Sequence, residues 1–423
     1  MRYENETEMR RTIALFLLTC LCAAGVAQRQ PEGTFRVQSL FAAGQAGYFN
    51  FRIPSLVTSP DGVLLAFCSA RKGKGFDHDP IDIALRRSTD AGRTWDSMRV
   101  IVHRPDGASC DNATPIADYR TGQVHLVYQI DYERIYCTST SDNGLTWSAP
   151  VDITATLEGF RSAYDWLVAA PGPGHGIQLR SGRLVVPCWL STGGRKEFGR
   201  SKIGHRPSIV VSIYSDDHGR TWLPGEVAVP DNDTIVIPNE TSCLELADGR
   251  VMFNSRNESV NYRRVVTCSP DGASRWERPR FEDAFFEPVC YGSMCRYTMR
   301  PFQSRNRILF CNPDSRYDPW VAPRRITPRS APGRRRANLT VRMSYDEGVT
   351  WPVSKVIDPG IAGYSDLAVT PDGMIHCLYE GGALEGDDKR NRQMNFVTFD
   401  LRWLTGGQDA LKRREIPLKP SVK

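Results

Sequence analysis

Arg52 stands inside the apolar run Phe51-Arg52-Ile53-Pro54, a poor place for an ordinary solvated arginine. A planar guanidinium held there suits an anionic ligand, because its fork of N–H donors can meet carboxylate oxygens by charge-assisted bonds. Glu240 lies in a Pro-Asn-Glu-Thr turn and Arg256 ends the run Asn254-Ser255-Arg256. The interval of sixteen positions from Glu240 to Arg256 reads as a strand, a turn at Asp248 and Gly249, and a strand back, which returns a carboxylate and a guanidinium to the same side. Other chemistries are less well provided for. The 7 His show no H-x-x-x-H spacing and the 12 Cys no C-x-x-C pair, so no metal site is expected. Beyond Cys22, Cys290 and Cys295 form the one close pair, while Cys68, Cys188, Cys243 and Cys377 sit in strand-like apolar runs and read as buried thiols.

The elements that must position these groups are set by a repeat. Ser or Thr, any residue, Asp, any, Gly, any, Thr, Trp recurs at Ser88 to Trp95, Thr140 to Trp147, Ser215 to Trp222 and Ser344 to Trp351. A degenerate copy runs from Ser269 to Trp276, with Ala273 and Arg275 in place of Gly and Thr. Each copy follows a strand-like run. The Asp and Ser or Thr side chains can hydrogen-bond the turn backbone, Gly supplies a positive φ, and Trp anchors the turn in the core. An Asp present in every module cannot be a unique catalytic acid, so Asp90, Asp142, Asp217, Asp271 and Asp346 are assigned to the fold. They fall on average about 64 residues apart, the length of a four-stranded blade with its loops. The expected fold is all-β, one six-bladed β-propeller of four-stranded antiparallel sheets over residues 34–412, followed by a C-terminal tail, 413–423.

Composition agrees with a globular chain: 423 residues, 40% hydrophobic, 24% charged, with 35 Gly and 28 Pro punctuating short β-rich runs. The net charge of +6 is small and its Lys and Arg are scattered among Asp and Glu, so there is no nucleic-acid footprint. Ile13 to Ala27, after Arg10 and Arg11, reads as a signal peptide cleaved after Ala27, too short for a bilayer span. Secretion or delivery to a periplasm is expected, with no stable membrane insertion. A lipoprotein site at Cys20 or Cys22 is disfavoured, because neither follows a small residue.

The boxes, together with Phe51 to Pro54, resemble the exo-sialidases (neuraminidases) of bacterial and animal type, from about Val37 to Leu401. That resemblance implies a propeller with three arginines, an Asp, a Glu and a Tyr in its central cleft. The arginines correspond to Arg52, Arg256 and Arg336, the last with Arg334 and Arg335 as rivals beside it. The resemblance implies a general acid on a loop ahead of the first box, and the family's spacing from Arg52 and from Arg87 selects Asp77, with Asp79 the runner-up and Asp82 read as structural. Glu240 and Tyr364, the latter opening Tyr-Ser-Asp-Leu, complete the set, and Arg71 is a candidate accessory residue. The glycine-rich stretch from Pro171 is also family-like; its His175 reads as structural before substrate-binding, and Tyr164 and Trp166 as buried between blades before forming an aglycone platform.

The resemblance implies a retaining hydrolase of terminal sialic acids on glycoproteins, oligosaccharides and gangliosides, without cofactor and as a monomer. The alternatives are a non-catalytic glycan-binding propeller, or a trans-sialidase or hydrolase of a related nonulosonic acid. Retention of Asp77, Glu240 and Tyr364 together favours the enzyme. The sequons at Asn112, Asn232, Asn239, Asn257 and Asn338 are read as chance.

Overall fold

A computed structural model describes residues 33–194, 204–319, 334–384 and 391–412. The leader expected over 1–27, with Cys20 and Cys22, and the tail over 413–423 lie outside the described residues. What is described is almost wholly antiparallel β structure, with short 3-10 turns and one five-residue helix, Leu401–Thr405. No helix among the described residues is long and apolar enough to cross a membrane.

The strands group into blades in chain order. Blade one is Asn50–Thr58, Leu64–Arg71, Ile81–Ser88 and Arg99–Val102. Blade two is Cys110–Asp118, Gln123–Ile130, Arg134–Thr140 and Val151–Asp152. Blade three is Val168–Pro171, Leu184–Ser191, Ser208–Ser215 and Leu223–Val229, with Ile177–Gln178 as a fifth, two-residue strand. Blade four is Thr241–Glu245, Val251–Ser255, Arg263–Ser269 and Arg280–Phe286.

The remaining strands depart from the expected set of separate four-stranded sheets, for they form one sheet of seven. Its cause is the 17-residue strand Val353–Val369. Up to Ile361 it pairs with Ala337–Ser344 as the outer strand of blade five, after Ser293–Thr298 and Arg307–Pro313. From Ala362 it pairs with Ile375–Gly381 as the inner strand of blade six. Blade six continues with Gln393–Phe399 and ends on Phe35–Ala42, so the start of the chain closes the ring. Divided at that strand, the five sheets make six blades.

The repeated turns are built as their composition demands. At the first, Asp90 accepts from the backbone N–H of Arg93 and Thr94 at 3.0 and 2.9 Å and from the Thr94 hydroxyl, while Ser88 Oγ accepts from Gly92 N at 2.8 Å. Gly92, Gly144, Gly219 and Gly348 all have φ between 77° and 87°. In the degenerate copy Gly272 takes the positive φ one position early, and the Ser274 hydroxyl replaces the missing Thr on Asp271. Three of the tryptophans join a blade to the one before: Trp147 meets Phe67 edge-on, Trp351 meets Phe285, and Trp95 meets Phe396 of the last blade. The cysteines from Cys68 onward are buried, and Cys290 and Cys295 fall in different apolar clusters.

This topology has two ends. The turns from third to fourth strand lie at one; the entries to inner strands and the loops from second to third strand lie at the other.

Candidate active site

Every candidate site residue lies at that second end. Arg52 is near the start of an inner strand, Asp77 in the loop after Leu64–Arg71, Glu240 just before Thr241–Glu245, Arg256 just after Val251–Ser255, and Arg336 just before Ala337–Ser344. Tyr364 is within the long shared strand. β-bulges aim two of them. The register slips between Arg52 and Ser55, where Ile53 takes a φ of 55°, and again between Ala362 and Ser365, around Tyr364. A β-branched residue at positive φ is strained, and such bulges re-aim the neighbouring side chain.

The centre is a triangle of hydrogen bonds. The Tyr364 hydroxyl donates to Glu240 Oε1 at 2.5 Å and accepts from Arg256 Nη1 at 2.5 Å, and the same Nη1 donates to Glu240 Oε2 at 2.5 Å. Two more guanidinium groups lie over the Tyr364 ring, Arg52 at 5.3 Å and Arg336 at 5.0 Å from its centroid. Arg336 is therefore the member of its triplet brought to the site. Arg334 stacks on Tyr262 at 4.8 Å, and Arg335 pairs with Asp318 at 3.7 Å.

Asp77 stands on the other side of Arg52, 3.9 Å from its Nη1, and accepts from Arg71 Nη1 at 2.6 Å. The rivals to Asp77 are engaged elsewhere. Asp79 closes its own loop by accepting from Lys74 N and Phe76 N, and Asp82 is held by Tyr48, His103 and Lys72. Burial alone would raise the Asp77 pKa, but Arg71 and Arg52, with His205, hold it well below the usual carboxylate range. Tyr364 goes the other way: burial pushes its phenol far up, Arg256 pulls against this, and Glu240 adds to it. The resting site thus carries a neutral phenol, touching a carboxylate, beneath three cations.

Two buried acids that the sequence did not single out hold this cluster in place. Glu380 accepts from Arg52 Nε at 3.0 Å and Nη2 at 3.4 Å, from Ile53 N at 3.0 Å and from Tyr364 N at 3.2 Å. Burial favours its neutral form, but Arg52 and Arg336 keep its pKa below normal. Asp111 accepts from Arg71 Nη2 at 3.0 Å and from Ser69 Oγ. A Glu closing the apolar run from Ile375, just before Gly381 and Gly382, was the available signal for the first.

The secondary candidates are not at this centre. His175 Nδ1–H donates to Asp366 Oδ1 at 2.8 Å, Trp166 is buried between blades two and three, and Tyr164 donates to Pro207 O at 3.0 Å. Of the sequon asparagines, Asn112, Asn239 and Asn257 are buried. Among the described residues no group of three or more His, Cys, Asp or Glu could hold a metal ion.

Residues 62–377 match the family described as BNR repeat-like domain. The chain is 30% identical to a sialidase of Micromonospora viridifaciens over 96% of its own length and 62% of that protein's. It is 36% identical to human Sialidase-4, covering 86% of this chain and 92% of the relative. Among solved structures, Hadza microbial sialidase Hz136 superposes with a TM-score of 0.67 at 24% identity, over 87% of this chain and 69% of that one. The intramolecular trans-sialidase of Ruminococcus gnavus, in complex with oseltamivir carboxylate, gives 0.67 at 17% identity, over 87% and 98%. At these identities the two structures speak for the propeller fold.

Proposed function

The chain belongs to the sialidase family, and from that premise we propose that it is an exo-α-sialidase releasing terminal sialic acids from glycoconjugates with retention, through Tyr364 as nucleophile. One observation carries the mechanism: a phenol in hydrogen-bond contact with both a carboxylate and a guanidinium, under two further arginines.

A sialic acid bears a carboxylate on its anomeric carbon. Arg52, Arg256 and Arg336 offer it converging guanidinium donors. The same negative charge would repel an Asp or Glu nucleophile, and a tyrosine avoids the clash, which sets sialidases apart from glycosidases that work with two carboxylates. In the first step Tyr364 Oη attacks the anomeric carbon while Glu240 takes its proton, and Asp77 protonates the departing glycosidic oxygen. In the second, Asp77 takes a proton from water as its oxygen attacks, and Tyr364 leaves with the proton held by Glu240. Two inversions give retention.

Asp77 must hold a proton for the first step, yet Arg71 and Arg52 favour its anion. A substrate carboxylate bound at Arg52 offsets part of that positive field and raises the Asp77 pKa once substrate is seated. Hydrolysis of a fluorogenic sialoside, beside matched non-sialic glycosides, tests the reading. Activity on the sialoside alone is expected; tight binding without turnover would instead make the chain a glycan-binding propeller.

A further inference from the structure

We propose that His175 and Asp366 are positioning residues for the Tyr364, Glu240 and Arg256 set, an inference that rests on the tyrosine reading above. The catalytic groups come from different blades. Arg52 belongs to blade one, Glu240 and Arg256 to blade four and Tyr364 to blade six, and no sheet pairing runs from blade four to either of the others. Something inside the ring has to fix their relative height.

Asp366 is two residues beyond Tyr364 on the same strand and is wholly buried. Its Oδ2 accepts from Leu56 N at 2.8 Å, on the strand that carries Arg52. Its Oδ1 accepts from Leu367 N at 3.1 Å and meets His175 Nδ1 at 2.8 Å. One carboxylate therefore ties the Arg52 strand to the Tyr364 strand and reaches a third element, the 171–176 loop of blade three.

That loop touches the rest of the site. Gly172 O accepts from the N–H of Thr241, the residue after Glu240, at 3.3 Å. Pro171 O accepts from Asn112 Nδ2 at 3.1 Å, and Gly176 N donates to Pro115 O at 3.0 Å, both on the inner strand of blade two. At Gly174, with a φ of 79°, a Cβ would collide with the Tyr291 hydroxyl, and the Tyr291 ring lies 5.9 Å from that of Tyr364. His175 is the loop's link to Asp366, and its Nδ1–H supplies a hydrogen-bond donor of the kind that a fully buried carboxylate requires. Through this loop the pair connects the strand of Arg52, the strand of Tyr364 and the neighbour of Glu240.

Because displacement by about 1 Å can lower a rate 100-fold, loosening this crosspiece should show in turnover before it shows in ground-state binding. The test compares His175→Ala, His175→Asn and Asp366→Asn in the full chain. Three quantities are read in each: kcat and KM on a fluorogenic sialoside, the rate of covalent labelling by a fluorinated sialosyl fluoride, and the Kd of a thiosialoside inhibitor, which keeps the tetrahedral anomeric carbon of the ground state. For His175→Ala and Asp366→Asn, kcat and labelling rate should fall tenfold or more, with the inhibitor Kd within about threefold of the unmodified chain. Asn places an amide donor where His has Nδ1, so His175→Asn should recover kcat to within about threefold. Unchanged kcat in folded His175→Ala overturns the proposal, and so does His175→Asn as slow as His175→Ala. If His175→Ala does not fold, His175→Gln, whose donor is one methylene further out, replaces it; equal kcat in the Asn and Gln variants then overturns the proposal. An active unmodified chain that takes no label sinks the tyrosine mechanism while the kcat comparison still judges the crosspiece. An inactive one sinks both.

Discussion

Under the proposed mechanism Tyr364, neutral at rest, owes its reactivity to what surrounds it. Its proton already points at Glu240, and Arg256 waits to receive the negative charge that develops on the oxygen. A fluorinated sialosyl fluoride should therefore trap an adduct on the peptide containing Gly363, Tyr364 and Ser365, and Tyr364→Phe should abolish it; peptide mapping by mass spectrometry reads the outcome, and a label on Asp77 or Glu240 would refute the assignment. Arg52 makes a different demand, that of shape. Its guanidinium is held by Glu380 through Nε and Nη2, so Arg52→Lys keeps the charge but loses the fork. The expected loss is on the order of 100-fold in kcat/KM, ~2.7 kcal/mol, with an unchanged thermal midpoint. The residues brought together here could be found in the sequence because short flanking motifs mark them, as Phe51 to Pro54 marks Arg52. Glu380 is marked only by its place at the end of an apolar run, and Asp111 by nothing local. Their value depends on partners far away in the chain, Arg52 being 328 positions from Glu380, and no local spacing encodes that. Arg336 was legible only to within its triplet, because three consecutive arginines look alike until a fold turns one of them inward.

At the scale of the element, the repeated turn was the most legible feature and explains why so much of the architecture could be read. Its hydrogen bonds are local, so the pattern Ser-x-Asp-x-Gly-x-Thr-Trp contains nearly all its own partners. Asp142 accepts from the backbone and side chain of Thr146 and from Thr140. Asp142→Ala should lower stability by about 1–2 kcal/mol, measured by denaturant unfolding, and leave kcat untouched because the turn faces away from the site. The turns also set an acid limit. Burial would raise the pKa of Asp90 and Asp217, but the N–H and hydroxyl groups of their turns hold both at about 2. A carboxylate depressed on folding contributes its full stability above its unfolded value, near 4, and loses it as pH falls through the folded value. The thermal midpoint should fall between about pH 4 and 2, and less steeply in a chain with Asp90→Asn and Asp217→Asn. A gradient indifferent to these substitutions would place acid sensitivity elsewhere. The long shared strand was not legible, since Pro359 and Gly360 read as a break. They fall instead at a register shift between Asp358 and Ile361, just before the strand exchanges partners, where a missing N–H is tolerated.

For the whole molecule, closure of the ring by Phe35–Ala42 ties the nature of the N-terminus to activity. We propose that export removes the leader up to Ala27, so N-terminal sequencing of the secreted chain should begin close to Gln28; a mature chain retaining Leu15 to Leu21 would mean an anchor instead. Such a cut leaves the closing strand whole. Truncation to residue 43, by contrast, strips the outer edge from blade six, which carries both Tyr364 and Glu380, and should cost activity together with cooperative unfolding, followed by circular dichroism and sialoside hydrolysis.

The strand Val353–Val369 has a mechanical consequence. Five of the six junctions between blades are crossed by a connecting loop, and the sixth by unbroken β structure on both sides. A ring with one welded seam cannot breathe evenly. When thermal motion or a bulky glycan forces the rim outward, the opening has to occur at the loop-linked junctions, while Arg336 and Tyr364, on the two flanks of the weld, keep their separation. The side of the cleft formed by blades five and six should then move least and the side bearing Asp77 more, a difference that amide hydrogen exchange along the six inner strands would register as slowest exchange next to the weld.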